Sequence, residues 1–132
     1  MKDHLRHFWK AYAWCMVITV LSFLPVDNTG PDWFDFQHAD KVLHVLFYGI
    51  LAFLILWGIQ QSSGSTSVYF KALVFSLIII FAYGSILEFV QHYLITSRVG
   101  DKMDVLFNLI GWAIASTLFS VRTSLISRKG KS

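Results

Sequence analysis

Residues 42–59 read VLHVLFYGILAFLILWGI, an apolar run that is interrupted by a single histidine, His44. About 20 apolar residues cross a bilayer as one helix, whereas a transmembrane strand alternates apolar and polar residues over about 10 residues. This run is continuous and does not alternate. It therefore predicts a membrane-spanning helix over residues 41–59.

Three more apolar runs predict helices over residues 8–24, 68–95 and 103–121. The third of the four helices, 28 residues or about 42 Å long, is expected to tilt or to project beyond the hydrocarbon layer. The first run follows a basic start, as a secretory signal does, but the sequence SFLPV that closes it has no small-x-small cleavage site, so we expect a retained helix. The sequence predicts an all-α bundle of four transmembrane helices that forms a single domain over residues 1–132.

The composition favours the same class of protein. The chain is 55% hydrophobic and 14% charged, whereas soluble domains carry about 25% charged residues. A chain of this length cannot bury so much apolar surface in water, which argues against a soluble enzyme, and disorder requires low hydrophobicity. The formal charge of +3 is not concentrated in a soluble region, so no nucleic-acid partner is expected.

Basic and acidic residues divide between the two sides of the predicted bundle. The side with the N-terminus, residues 60–71 and the C-terminus holds eight of the eleven Lys and Arg residues, but only one of the eight Asp and Glu residues, Asp3. Short cytoplasmic loops of membrane proteins carry an excess of Lys and Arg. The asymmetry predicts that both termini are cytoplasmic.

With that topology, three of the predicted helices carry polar residues near the outer membrane face. Their spacing of three or four residues places them on shared helix faces, as for Asp40, His44 and Tyr48. The candidate binding residues are Asp40, Lys41, His44, Tyr48, Glu88, Gln91, Arg98, Asp101, Asp104 and Asn108.

Three of these residues are also candidates for chemistry. An ionisable group in hydrocarbon costs several kcal/mol unless it is paired or neutralised, so His44, Glu88 and Asp104 are functional candidates. Glu88 lies at the end of its helix where the dipole is negative. We therefore expect Glu88 to pair with His44, Lys41 or Arg98, or to carry its proton.

Purely structural interpretations stay open for several positions. Asp40 and Asp101 could be helix N-caps, and Lys41 and Lys102 could extend to the membrane interface. The amides of Gln91 and Asn108 could join helices by hydrogen bonds. The small residues Gly111 and Ala115 suit close helix packing.

The combined pattern is Asp40-Lys41-x-x-His44 with Tyr48, Glu88-x-x-Gln91, Arg98 and Asp104-x-x-x-Asn108-x-x-Gly111. It resembles the VanZ-like family of small bacterial membrane proteins, the teicoplanin-resistance protein family. The resemblance implies a location in the bacterial cytoplasmic membrane and a link to glycopeptide resistance, and it implies no known reaction. The segment between Gln91 and Arg98 lacks the proline common in the family, so the third helix could run further before it turns.

The leading hypothesis for function is a binding module. An outer-leaflet pocket would bind an anionic or polar envelope group, such as a lipid headgroup or a lipid-linked cell-wall precursor. Lys41, Arg98 and two positive helix ends would form the anion site. The acidic and amide residues would contact hydroxyls or amides of the ligand.

Two other hypotheses remain open. The first is a membrane-embedded hydrolase or transferase that acts on a lipid phosphate or ester, with His44 as general base or nucleophile. No cofactor is predicted, although Glu88, Asp101 and Asp104 could hold a divalent cation. The second is a structural or assembly partner, in a homo-oligomer or with another protein, whose polar network fixes the register of the helices.

Overall fold

A computed structural model of the chain describes residues 2–24, 36–63, 69–94 and 102–129. Four α-helices account for these residues, and their order and bounds are α1 (Lys2–Phe23), α2 (Phe36–Ser63), α3 (Tyr69–Leu94) and α4 (Lys102–Lys129). The predicted all-α class is confirmed. All four predicted helices are present.

Three helices extend beyond the predicted bounds. α1 begins at Lys2 instead of residue 8, α2 begins at Phe36 instead of residue 41, and α4 ends at Lys129 instead of residue 121. An apolar run marks only the stretch that suits hydrocarbon, whereas backbone hydrogen bonding continues through polar residues that are adequate helix formers. Because α2 starts four residues before Asp40, the N-cap interpretation of Asp40 is wrong.

Three helices are long and apolar enough to cross a membrane, over Ala39–Ser63, Phe70–Tyr93 and Met103–Ser127. Their outward faces carry large apolar side chains, and Ile78 and Ile86 of α3 are more than half exposed. Contiguous apolar surface of this kind is typical of a face that contacts lipid. The chain is therefore a membrane protein. α1 is not among the three, so its crossing of the membrane stays a prediction.

α2 is the central helix, because it packs against each of the other three and most extensively against α4. α2 and α4 run in the same direction, and their backbones touch at Gly49 and Gly111. A Cβ atom at Gly111 would lie 2.4 Å from the Val45 carbonyl oxygen and 2.9 Å from the Gly49 nitrogen. Small residues at such a crossing let two helices approach closely. The expected packing role of Gly111 is confirmed, and the contact brings the middle of α2 against α4.

Indole groups join the helices elsewhere in the bundle. Trp14 Nε1 of α1 donates to the Phe47 carbonyl of α2 at 2.9 Å. Trp112 Nε1 of α4 donates to Ser76 Oγ of α3, also at 2.9 Å. Because hydrocarbon offers no water to satisfy these polar groups, their partners must come from the protein.

Candidate functional site

His44 of α2 lies at the centre of three carboxylates that come from three helices. Its Nε2 atom is 3.8 Å from Asp40 Oδ2, 3.9 Å from Glu88 Oε1 and 3.8 Å from Asp104 Oδ2. We call these four residues the His44 cluster. The structure thus brings together the three residues that the sequence favoured for chemistry.

Helix geometry explains how these side chains meet. Asp40 and His44 are four residues apart on α2, so they lie one above the other on the same face. Asp104 lies in the first turn of α4, where the positive end of the helix dipole stabilises a carboxylate. Glu88 reaches the cluster from α3, which runs in the opposite direction to α2 and α4.

The cluster is enclosed on most sides and opens beside Asp40. The side chains of His44, Glu88 and Asp104 are 16%, 12% and 11% exposed, whereas that of Asp40 is 40% exposed. Direct N–H···O hydrogen bonds are about 2.7–3.2 Å long, so the three distances from Nε2 are longer than direct hydrogen bonds. His44 Nε2 therefore faces a space that all three carboxylates share.

Asn108 holds the other nitrogen of the imidazole ring. His44 Nδ1 lies 2.9 Å from Asn108 Oδ1, and because an amide oxygen only accepts, Nδ1 carries the proton in this pair. Asn108 is 1% exposed, and its Nδ2 makes no hydrogen bond within the described part of the chain. A Cβ atom at Gly84 would lie 2.6 Å from that Nδ2. Glycine at position 84 therefore gives the amide its room.

Tyr48 and Gln91 support the cluster from two sides. The Tyr48 ring is buried and lies parallel to the His44 ring, with centroids 6.0 Å apart. Gln91 Nε2 donates to the Ser22 carbonyl at 2.8 Å, one of the last carbonyls of α1, which have no partner within the helix. Gln91 thus makes the interhelical hydrogen bond that was one of its two interpretations.

A cavity of about 390 Å³ lies against this cluster between α1 and α2. Its polar lining residues are Ser22, Asp40, His44 and Gln91. Apolar side chains form much of the rest of the wall, including Leu21 of α1 and Leu43 of α2. The cavity therefore offers both apolar and polar surface to a ligand.

Comparison with known families bears on the same residues. The family model VanZ/LLP1 matches residues 3–123 of the chain, which include the whole His44 cluster. The chain belongs to the VanZ/LLP1 family. The resemblance inferred from the polar pattern is confirmed. No curated protein and no solved structure matches the chain.

Three candidate residues of this VanZ/LLP1 protein remain, and the structure describes only Lys41 among them. Lys41 places its ammonium group 5.9 Å from the centroid of the Phe107 ring of α4, and it is not a lining residue of the cavity. Arg98 and Asp101 lie outside the described residues. The predicted cation set of Glu88, Asp101 and Asp104 is therefore described only in part. The anion site predicted for Lys41 and Arg98 therefore stays a prediction.

The VanZ/LLP1 protein also has a polar contact that sequence reasoning missed. Tyr83 Oη of α3 donates to the Cys15 carbonyl of α1 at 2.7 Å and lies 2.7 Å from Thr19 Oγ1. The Tyr83 ring lies 6.0 Å from the Tyr48 ring beneath His44. The available signal was spacing, because Tyr83 precedes Gln91 by eight residues, about two helical turns, and shares its face. Tyr83 and Gln91 both join α3 to α1.

Proposed function

We propose that this protein binds the polar head of an envelope lipid, or of a lipid-linked cell-wall precursor, in the cavity between α1 and α2. The observation that carries the proposal is the mixed wall of this cavity, in which apolar side chains such as Leu21 and Leu43 adjoin the polar groups of Asp40 and His44. Ligand pockets are mostly apolar with a few placed polar groups. A lipid would put its head against the His44 cluster and its chain along the apolar wall.

The chemistry of the described cluster indicates which head groups fit. Ionised Asp and Glu side chains only accept hydrogen bonds, so the three carboxylates suit the hydroxyl, amide N–H or ammonium groups of a sugar or peptide head. A phosphate next to them requires a positive partner, and Arg98 and Lys41 are the candidates from the sequence. Binding of a lipid-linked wall precursor would also account for a link to glycopeptide resistance.

The distribution of charge supports a membrane orientation for this site. Three acidic side chains, those of Asp40, Glu88 and Asp104, lie together at one end of the bundle. At the other end, Lys10 and Arg122 lie 4.7 Å and 5.4 Å from the Trp57 ring centroid. Because cytoplasmic ends are rich in Lys and Arg, we place both termini in the cytoplasm of a bacterial cell. The cluster then faces outward, and α1 is a fourth span.

This orientation predicts a labelling pattern for two exposed positions. In a Cys15→Ser background, a membrane-impermeant maleimide should label Leu24→Cys in intact protoplasts and should label Ser63→Cys only after the cells are permeabilised. A fluorescent protein fused to the N-terminus should fold and fluoresce in the cytoplasm. If Leu24→Cys is also labelled from outside, the two ends of α1 lie on opposite sides and α1 must cross the membrane. Labelling of Ser63→Cys from outside would reverse the orientation.

Blocking the cavity should remove bound lipid. Leu43→Trp places an indole in the cavity wall, so we expect lipid-linked species to be retained at least about tenfold less well, or about 1.4 kcal/mol of binding free energy. Native mass spectrometry of the protein released from nanodiscs made with envelope lipids measures the retained species. The matched control is Leu46→Trp, because Leu46 is exposed on the same helix and does not line the cavity. Equal retention by Leu43→Trp and Leu46→Trp would contradict the proposal.

A hydrolase is the second candidate, and the position of His44 in the cavity wall is the observation that favours it. With Nδ1 donating to Asn108, the Nε2 atom of the neutral ring has a lone pair that can accept a proton from water or from a lipid hydroxyl. Incubation of the purified protein with labelled envelope lipids separates the two functions. A product that disappears with His44→Gln would identify an enzyme, whereas retention without any product supports binding alone.

A further inference from the structure

The His44 cluster has the ligand atoms of a metal site. Asp40, His44 and Asp104 each offer one ligand atom, and these atoms all lie within 4.8 Å of one another. We infer that they hold a divalent transition-metal ion of the Zn²⁺ or Mn²⁺ class, with Glu88 as a further oxygen ligand. The ligand set contains two residues of α2 and one each of α3 and α4.

The spacing of these atoms suits ions of this size. Ligand atoms about 2.1 Å from an ion in tetrahedral geometry lie about 3.4 Å from one another. The carboxylate oxygens lie 3.8–3.9 Å from His44 Nε2. Side-chain rotations that bring the ligand atoms, now within 4.8 Å of one another, closer together would complete the coordination.

The imidazole is oriented as it is in metal sites. Histidine ligands donate their second ring N–H to a carbonyl or carboxylate, which fixes the tautomer and directs the other nitrogen to the ion. In this protein the acceptor is Asn108 Oδ1, at 2.9 Å. Asn108 is 1% exposed, so water does not compete for this bond. The lone pair of Nε2 therefore points to the space that the carboxylates share.

Electrostatics favours a divalent ion over a protonated His44 alone. Three carboxylates close together in a partly buried site repel one another, and a divalent ion between them would add two positive charges where an imidazolium adds one, whatever other contacts these carboxylates make. The set combines one nitrogen ligand with several oxygen ligands. Imidazole suits zinc and other transition metals, whereas carboxylates suit manganese, so an ion of the Zn²⁺ or Mn²⁺ class matches this mixture. Magnesium and calcium prefer sites made of oxygen alone.

A role for the ion follows from the opening beside Asp40. The cavity reaches Asp40 and His44, so an ion there could take a phosphate oxygen of a lipid head as an additional ligand. This role rests on the proposed function, because it requires a lipid in the cavity. Binding of the ion does not require a lipid.

The test uses the full-length protein in nanodiscs of a neutral lipid, stripped with chelator and titrated with Zn²⁺ or Mn²⁺. We expect one ion per chain by calorimetry, and pulsed electron paramagnetic resonance of the Mn²⁺-loaded wild type should show coupling to an imidazole nitrogen. His44→Gln and Asp104→Asn should each lower the affinity by at least about 100-fold, since loss of a mere outer-shell partner costs roughly 10- to 100-fold. The matched control His92→Gln changes an exposed histidine of α3 and should bind as the wild type does.

Each outcome decides between the alternatives. A wild type that binds no ion, or that shows no nitrogen coupling, overturns the metal site, even if Leu43→Trp still lowers lipid retention. Unchanged affinity in both His44→Gln and Asp104→Asn also overturns it, because the ion would then bind elsewhere. Conversely, ion binding at His44 together with equal lipid retention by the two tryptophan variants leaves the metal site standing and overturns the lipid proposal. If a variant fails to fold, the resonance measurement on the wild type still tests the metal site, because it requires no substitution.

Discussion

Replacement of His44 with leucine is expected to lower the free energy of unfolding by about 3 to 5 kcal/mol, the effect of removing one partner from a buried ionic group. In the wild type the carboxylates of Asp40, Glu88 and Asp104 all lie within 3.9 Å of His44 Nε2. The variant leaves these carboxylates around an apolar side chain. It also removes the partner of Asn108 Oδ1, a buried amide. Titration with dodecyl sulfate in mixed micelles, with chelator present, measures the change.

A double-variant cycle shows whether the loss arises from the carboxylates. Addition of Asp104→Asn to His44→Leu removes one of the repelling charges, so the double variant should be more stable than the sum of the two single losses predicts, with a coupling of about 0.5 to 3 kcal/mol. His92→Leu is the matched control, because His92 is exposed. If His44→Leu unfolds at the same dodecyl sulfate concentration as the wild type, the His44 cluster is not a buried ionic network.

The sequence could predict which side chains meet at the His44 cluster. Hydrocarbon excludes most ionisable residues, so the few that remain must lie near helix ends or face the protein. Helical spacing then gives the face, as for Asp40 and His44 on α2. Because consecutive spans run in opposite directions, the start of α2, the end of α3 and the start of α4 come to the same level. Together these constraints placed Glu88 and Asp104 close to His44. The binding role of these residues stays a prediction.

The lateral arrangement of the helices could not be predicted in the same way. Hydropathy predicts the length of a span and not its neighbours, so it offers no reason to pair Tyr83 with the Cys15 carbonyl or Lys41 with Phe107. Helix ends were missed for a related reason. A helix continues past its apolar stretch at little cost when the next residues are helix formers, which is why Asp40 lies inside α2.

Contact between parallel helices links the fold to the site. The pairs His44–Asn108 and Gly49–Gly111 both join α2 to α4, and Gly49 lies less than two turns along α2 from His44. Because interiors are closely packed, a displacement at the glycine contact is transmitted along both helices. Changes at Gly111 should therefore alter the His44 cluster without touching any of its side chains.

Gly111→Ala is expected to lower the free energy of unfolding by about 3 kcal/mol, the upper part of the range for overpacked sites. The added Cβ would lie 2.4 Å from the Val45 carbonyl oxygen and 2.9 Å from the Gly49 nitrogen, and both are backbone atoms that only a shift of a whole helix can relieve. Such a shift also separates Asp104 from His44, so affinity for Zn²⁺ or Mn²⁺ should fall with stability. Gly58→Ala is one control: its Cβ would meet the Phe8 ring at 2.7 Å, a side chain that can rotate away, and the backbone only at the His7 carbonyl oxygen, at 3.1 Å. Ala113→Val is the other, because it adds bulk at an exposed position. Both controls should unfold at a dodecyl sulfate concentration closer to that of the wild type. A Gly111→Ala protein as stable as Ala113→Val would show that the packing of α2 against α4 does not depend on the Gly49–Gly111 contact.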